Sequence, residues 1–494
     1  MLERELKLEA PPGFRLPDLG QVTADVASAD TTTEKLKTTY FDTRDLRLTR
    51  WGCSLRYRIG QGWTVKLPGP DSSNGDLLVR GEHVFQGDPD APPTAALDLL
   101  TAYLRRSAVH PVAHLRTTRH MITLRGSDGS PLAETVQDDV AVLEGRRIAD
   151  KFREIEVELK DAASDSLLPA IVERLSVAGA GAPNPTPKVV RALGPRAQRA
   201  PELDAEELAP EATAGAALRR ALVQSATRLL RHDAGIRLGN DIEDVHQARV
   251  AVRRLRSHLR TFLPLMDIEW AVALRQELGW LADELGGVRD ADVLMERLRK
   301  HADGLPPRDR SPGAKILALL AAQRDAAMGR LRETVHATRY VDLLKRLVDS
   351  ARTPQLAPIA AEAGALTLPP LVASLWRNVR AKVDDFGAEP DDTQLHKLRI
   401  RTKRCRYAAE AVAPIIGKSA RGFAKAAAQL QEVLGEHHDA VVAMQWLRDH
   451  AATGNLTFVA GHFSALEHTA ATKARTEWPQ CWRKFDRKKL RAWM

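Results

Sequence analysis

Residues 1–10 read MLERELKLEA, and the alternation at positions 2 to 8 decides the fold of the first half of the chain. Glu3, Glu5 and Lys7 occupy one parity; Leu2, Leu6 and Leu8 occupy the other. Successive side chains of a β-strand point to opposite faces, so this segment carries one charged and one mostly apolar side. The pattern recurs in both signs. Arg56 and Arg58 oppose Leu55, Tyr57 and Ile59; Glu154, Glu156 and Glu158 oppose Ile155, Val157 and Leu159; Glu134 and Asp138 share a further face. One such strand alone reads as a half-buried sheet facing water. Together they say more. Two carboxylates about 7 Å apart repel by roughly 2 kcal/mol at an effective dielectric of about 20, so the pairs Glu3/Glu5 and Glu154/Glu156 make most sense with a cation between them. Oxygen-only donors favour a hard ion, Mg2+ or Mn2+. The basic positions Lys7, Arg56, Arg58, Lys66, Arg80, Arg119 and Lys188 would hold an extended anion, arginine's planar fork suiting phosphate oxygens. If the strands close into a barrel, the charged sides line its lumen and the apolar sides face outward.

Working outward, further alternating segments (SLRYRIG, WTVKLPG, LVRGEHVF, RHMITL, LAETVQDDVAVL, REIEVELK) make residues 1 to about 180 strand-rich, in a first domain that closes near residue 200. Two amphipathic helices are expected within that stretch, TAALDLLTAYLRR and SDSLLPAIVERLSVAG. Pro, Gly and Ala crowd the passage from GAGAPNPTPK to APEATAG, which puts a linker at 201–212. From 213 to 494 nearly every segment has helical period. That half repeats itself: DVHQARVAVRRLRSHLRTF (244–262) aligns without a gap on QLHKLRIRTKRCRYAAEAV (394–412), and LADELGGVRDADVLMERL (281–298) on LQEVLGEHHDAVVAMQWL (430–447). Two related helical halves, about 213–350 and 366–494, are expected.

The repeat carries a stripe. His246, Arg249, Arg253, Arg256 and Arg260 fall within an arc of about 80° on a helical wheel, beside an apolar arc of Val245, Ala248, Val252, Leu255 and Leu259. His396, Arg399, Lys403 and Arg406 repeat the spacing H-x2-R-x3-[RK]-x2-R. A solvated charged face explains most basic helices, but it would ordinarily carry i, i+4 glutamates, and these stripes are expected to lack them. Two facing rails of like charge would be relieved by a polyanion. Asp290 and Asp439 are expected chiefly to cap or orient helices, with tethering of an arginine as the lesser alternative.

Charge follows the same division. The net charge is +9, about −4 over residues 1–210 and about +13 over 211–494. An excess on that scale points to a polyanionic partner. Nucleic acid remains a rival for the helical half, weakened by the scarcity of Phe and Tyr for base stacking near the rails. Three scattered cysteines, Cys53, Cys405 and Cys481, make neither a disulfide framework nor a zinc pattern, so a reducing, cytoplasmic setting is expected. No stretch has the length of a membrane span, so no membrane partner is expected.

The N-terminal residues resemble the CYTH domains, or triphosphate tunnel metalloenzymes. Glu3-Arg4-Glu5-Leu6-Lys7 matches the E-x-E-x-K signature, followed in order by Leu55-Arg56-Tyr57-Arg58, Lys66, Arg80 with Glu82, Arg119, Asp138, the Glu154/Glu156 pair and Lys188 in TPKVVRAL. The resemblance implies an eight-stranded antiparallel β-tunnel and a divalent-metal-dependent enzyme. Its metal side would be Glu3, Glu5, Asp138, Glu154 and Glu156, with the adjacent Asp139 the alternative to Asp138, which shares the parity of Glu134; its triphosphate would be held by Lys7, Arg56, Arg58, Lys66, Arg80, Arg119 and Lys188. Glu3, Glu5, Lys7, Glu154 and Glu156 would form the catalytic centre. Glu82 is expected to pair with an inward arginine. The second half resembles the CHAD domain, whose paired helical repeats bind inorganic polyphosphate. The expected whole is an α+β chain: a tunnel that hydrolyses inorganic triphosphate, fused to an all-α polyphosphate binder. The alternatives are a polyphosphate-binding protein without turnover and a tunnel that acts on an organic triphosphate by ATP cyclisation or thiamine triphosphate hydrolysis.

Overall fold

A computed structural model describes residues 2–69, 77–160, 163–387, 389–451 and 453–494. The chain separates into two compact units, Met1–Glu202 and Leu203–Met494. Strands β1 (Leu2–Glu9), β2 (Ser28–Asp42), β3 (Ser54–Arg58), β4 (Gly62–Pro68), β5 (Leu77–Phe85), β6 (His110–Arg125), β7 (Pro131–Glu144) and β8 (Arg147–Leu159) close into a barrel in the order β1-β5-β4-β3-β2-β6-β7-β8. All pairings are antiparallel. Strand β2 is the one the alternation does not reveal. Its first eight residues, SADTTTEK, are mostly exposed and lack a period-two pattern, yet Thr-rich β-branched chain suits an extended ribbon, and it pairs with β6 from Ser28↔Arg125 onward.

The barrel's outer face is apolar on two sides. Leu6, Leu8, Ile122, Leu124, Ala133, Ile155 and Val157 are buried against Leu167, Ile171 and Leu175 of helix α4 (Leu167–Val177). On the β3–β4 side, Leu55, Trp63 and Val65 are fully buried. They lie outward of the lumen, with Phe41 and Tyr57 against the Trp63 ring. Helices α1 (Arg47–Arg50), α2 (Thr94–Leu99) and α3 (Thr101–Leu104) belong to this side. The single helix expected over TAALDLLTAYLRR is thus two short ones, broken where Leu100 N–H bonds to Leu97 in an i→i−3 turn. Glu202 ends the unit, accepting from Arg105 at 2.6 Å and from Trp51 at 3.4 Å. Helix α5 (Lys188–Leu193) follows a segment stitched to β1 through Gly181 N–H to Glu9 and Asn184 N–H to Lys7.

The second unit is helical: α6 (Ala214–Leu238), α7 (Ile242–Thr261), α8 (Ile268–Asp303), α9 (Arg310–His336), α10 (Thr338–Arg352), α11 (Gly364–Asp384), α12 (Asp392–Ile416), α13 (Lys418–His450) and α14 (Thr457–Phe485). The duplicated stripes lie on α7 and α12, each preceded by an aspartate N-cap. Asp241 accepts from Glu243 N–H, and Asp391 forms a full capping box with Gln394. Val245, Ala248, Val252, Leu255 and Leu259 on α7 are buried, as are Leu395, Leu398, Cys405 and Val412 on α12, so each helix commits one arc to the core. α7 packs between α6 and α8, α12 between α11 and α13, and α7 also meets α12. Among the described residues no helix is long and apolar enough to cross a membrane.

Candidate functional site

Closure of the barrel gathers most of the inward acids on one side and four of the bases on the other. Glu5 on β1, Asp138 and Glu134 on β7, and Glu154, Glu156 and Glu158 on β8 come from three adjacent strands, whereas Arg56 and Arg58 on β3, Lys66 on β4 and Arg80 on β5 come from three adjacent strands on the other side of the ring. Between them lies a cavity of about 500 Å3 lined by Glu5, Lys7, Tyr40, Arg56, Arg58, Lys66, Arg80, Arg119, Glu156 and Lys188. Glu82 is the acid on the basic wall, where it bonds Lys66 at 2.9 Å and lies 3.7 Å from Arg56. Glu3 stands opposite Arg80 in the β1–β5 register, and its side chain lies outside the described residues.

The acidic wall is threaded with its own cations. Arg119 holds Asp138 with two bonds of 2.9 and 2.7 Å and reaches Glu156 at 3.3 Å. Lys188, from the first turn of α5, sits 2.9 Å from Asp138, 2.6 Å from Glu154 and 2.8 Å from Glu156. Lys7 bonds Glu156 and lies 3.6 Å from Glu154 and 3.7 Å from Glu5. Arg191 reaches Glu154 at 3.2 Å while lying over the Phe152 ring. Burial alone would push the Glu156 carboxyl up, but Lys188, Lys7 and Arg119 hold it well below its ordinary value. Burial likewise opposes the charge on Lys188, and Asp138, Glu154 and Glu156 overcome it, raising that ammonium well above its ordinary value. On the opposite wall, burial followed by the charges of Arg56 and Arg119 lowers the Arg58 guanidinium to about 10.

Asp139 faces away from the lumen and bonds Arg153 at 2.6 Å, which fixes Asp138 as the inward member of that pair. Among the described residues no group of three or more His, Cys, Asp or Glu side chains is arranged to hold a metal ion. The donor chemistry nonetheless fits a hard cation at one place: Glu5 Oε1 is buried without a hydrogen-bond partner, on the same wall as Glu154 and Glu156. Asp138, Glu154 and Glu156 are already paired with Arg119, Lys188, Lys7 or Arg191, so an ion would reach their oxygens only by displacing one of those cations.

In the helical unit the two stripes converge in part. His246, Arg249 and Arg253 of α7 and His396, Arg399 and Lys403 of α12 form one half-buried group. Burial first, then the positive charges of Arg399, Arg253 and Arg249, pushes the Lys403 ammonium down to about 7. Arg253 donates to the Tyr407 hydroxyl at 2.9 Å, a contact across the two repeats that the sequence does not signal, because Ser257 occupies the equivalent position of the first copy. His396 and His438 meet at 3.0 Å through their Nδ1 atoms. Arg256 and Arg260 lie exposed further along α7. Two expectations are corrected. Arg406 pairs with Glu410 at i+4, 2.7 Å away, so one stripe does have a neutralising glutamate, and Glu410 also takes Arg254 at 2.6 Å. Asp290 and Asp439 lie in the interiors of α8 and α13, where no cap is needed, and instead tether Arg249 at 2.6 Å and Arg399 at 3.5 Å.

A barrel with opposed acidic and basic walls, followed by a duplicated helical unit with paired basic stripes, defines a class. The CYTH domain model matches residues 1–182 and the CHAD domain model residues 216–448; the chain belongs to the CYTH-CHAD proteins, and its first unit is a CYTH domain of the triphosphate-tunnel type. An uncharacterized protein of Mycobacterium tuberculosis is 31% identical over 98% of this chain and 96% of its own length. Among solved structures, PptA from Streptomyces chartreusis is 24% identical, covering 55% of this chain and all of its own, with a TM-score of 0.46. A putative adenylyl cyclase from Hippeastrum, described as having a dominant triphosphatase activity, is 17% identical and covers 36% of this chain and 88% of its own, with a TM-score of 0.22. CYTH-family proteins are generally divalent-metal dependent.

Proposed function

We propose that the tunnel hydrolyses inorganic triphosphate with the help of a divalent ion, Mg2+ or Mn2+, and that the helical unit holds inorganic polyphosphate. The observation that carries the reading is the segregation of charge across one lumen of about 500 Å3. Arg56, Arg58, Lys66 and Arg80 supply donors for the non-bridging oxygens of an extended anion, and guanidinium forks fix its register. Glu5, Glu154 and Glu156 are the acids that would hold the ion. When bound, such an ion shares charge with the transferring phosphoryl group and lowers the pKa of a water. Phosphoryl transfer asks mostly for positioning and charge stabilisation, so no nucleophilic side chain is required. Arg119 positions Asp138 and Glu156; Lys7 positions Glu156.

The duplicated group around Arg249, Arg253, Arg399 and Lys403 supports the polyanion reading of the second unit, because Asp290 and Asp439 offset only part of the charge of four basic side chains gathered in partial burial, and a polyanion would neutralise the rest. The test is phosphate release from triphosphate with Mg2+ or Mn2+, compared with ATP under product analysis. Glu156→Gln is expected to lower the rate at least about 100-fold. No release by the wild type would leave a binding protein, and release from ATP in preference to triphosphate would shift the substrate to a nucleotide.

A further inference from the structure

Lys188 stands at the point where three carboxylates converge. Its Nζ lies 2.9, 2.6 and 2.8 Å from Asp138, Glu154 and Glu156, which come from two neighbouring strands, β7 and β8. The side chain is 8% exposed, so the ammonium has traded water for these oxygens. Its backbone is held in place by neighbours that have nothing to do with charge. Val189, the next residue, packs against Tyr40, Ala113, Leu115, Val140 and Val142, and the preceding segment is stitched to β1. Helix α5 therefore delivers this lysine to a fixed place, while its four-carbon stem leaves the head free to move.

An ammonium surrounded by three carboxylates occupies the position and supplies part of the charge that a hard divalent ion would. Such an ion needs carboxylate oxygens at about 2.0–2.1 Å and little competing positive charge. Both cannot hold the same oxygens. We infer that Lys188 is a built-in counter-ion of the acidic wall: divalent metal enters the tunnel by exchange against this ammonium, which then turns toward the lumen, where the oxygens of a bound triphosphate would receive it. The assignment differs from a simple phosphate-binding role. It makes Lys188 a brake on metal affinity and a positioning residue for the acids, and it rests on the reading of the tunnel as a triphosphate site only for the destination of the released ammonium.

The test is Mn2+ binding to the full-length protein without any phosphate, followed by the EPR signal of free Mn2+. Lys188→Met is expected to bind Mn2+ at least about tenfold more tightly than the wild type, and Glu156→Gln in the Lys188→Met background to remove the gain. Lys188→Arg keeps the charge and should bind as weakly as the wild type, and its thermal unfolding together with that of Lys188→Met reports folding. Affinity in Lys188→Met equal to or weaker than wild type overturns the inference, as does a gain that survives Glu156→Gln, because that metal would sit elsewhere. A gain without any triphosphate turnover by the wild type would leave the exchange standing and discard the enzyme reading; turnover without a gain would do the reverse.

Discussion

Lys403 offers the sharpest test of the helical unit because its protonation is set by the groups proposed to bind the ligand. Burial, then Arg399, Arg253 and Arg249, lowers its ammonium to about 7, against an ordinary 10.5. A polyphosphate chain seated beside it reverses the local sign and restores the ammonium toward its ordinary range. The complex then carries more protons than the free protein between pH 7 and about 10, so binding takes up a proton and affinity falls as pH rises. The limiting slope is tenfold per pH unit, about 1.4 kcal/mol. The free protein is half protonated at this site at pH 7 and about 1% protonated at pH 9, so Kd weakens about 50-fold over that interval. Folding stability runs the other way. A group whose folded pKa is depressed contributes stability above the unfolded value, and that contribution is lost as pH falls through about 7. In the free protein His246, His396 and His438, each lowered chiefly by burial, lie below the ordinary histidine range. Calorimetry with a defined-length polyphosphate at fixed ionic strength, in buffers of different ionisation heat, counts the proton directly. Lys403→Arg should flatten the profile. A wild-type Kd constant from pH 7 to 9, or the same slope in the arginine variant, refutes the reasoning.

Two further outcomes are expected. Replacing Arg119 with alanine strips a bidentate partner from Asp138, whose side chain is fully buried, and should cost about 3–5 kcal/mol of stability by chemical denaturation, as does breaking other buried pairs; a loss below about 1 kcal/mol would mean that Lys188 alone suffices. Reversing Arg253 and Lys403 together to glutamate should weaken polyphosphate binding more than about 100-fold and flatten its salt dependence, while a wild-type affinity for DNA of matched charge equal to that for polyphosphate would remove the claim to specificity.

How much of this was written in the chain depends on the range of the interaction concerned. Periodicity is local, so the alternation at Glu3, Glu5 and Lys7 and at Glu154, Glu156 and Glu158 announced charged faces, and the duplicated H-x2-R-x3-[RK]-x2-R announced two equivalent helices. Strand β2 escaped because an exposed ribbon has no apolar face to betray its period; its order comes from pairing with β6. Arg406 shares the wheel position of its neighbours, yet Glu410 one turn on captures it, and an arc drawn on a wheel weighs no such competition. The tethers made by Asp290 and Asp439 rank below capping in the sequence for a related reason. A helix interior 41 and 40 residues away from the arginines they hold cannot be matched to them by spacing alone.

The sequence by itself determined which side chains share a face, because that follows from 3.6 residues per helical turn and two per strand. It also determined the family, through motifs that keep their order along the chain. Which faces meet was decided only by tertiary structure. Barrel closure brought β8, with β7 on its far side, against β1 and set their acids against the bases of β3, β4 and β5, because register and strand order depend on pairings between residues as far apart as Arg4 and Leu159. The occupation of the acidic wall by Lys188 is of the same kind: a residue of the final helix in the first unit reaches acids on two strands through folding, and its charge then sets the terms on which any other cation enters.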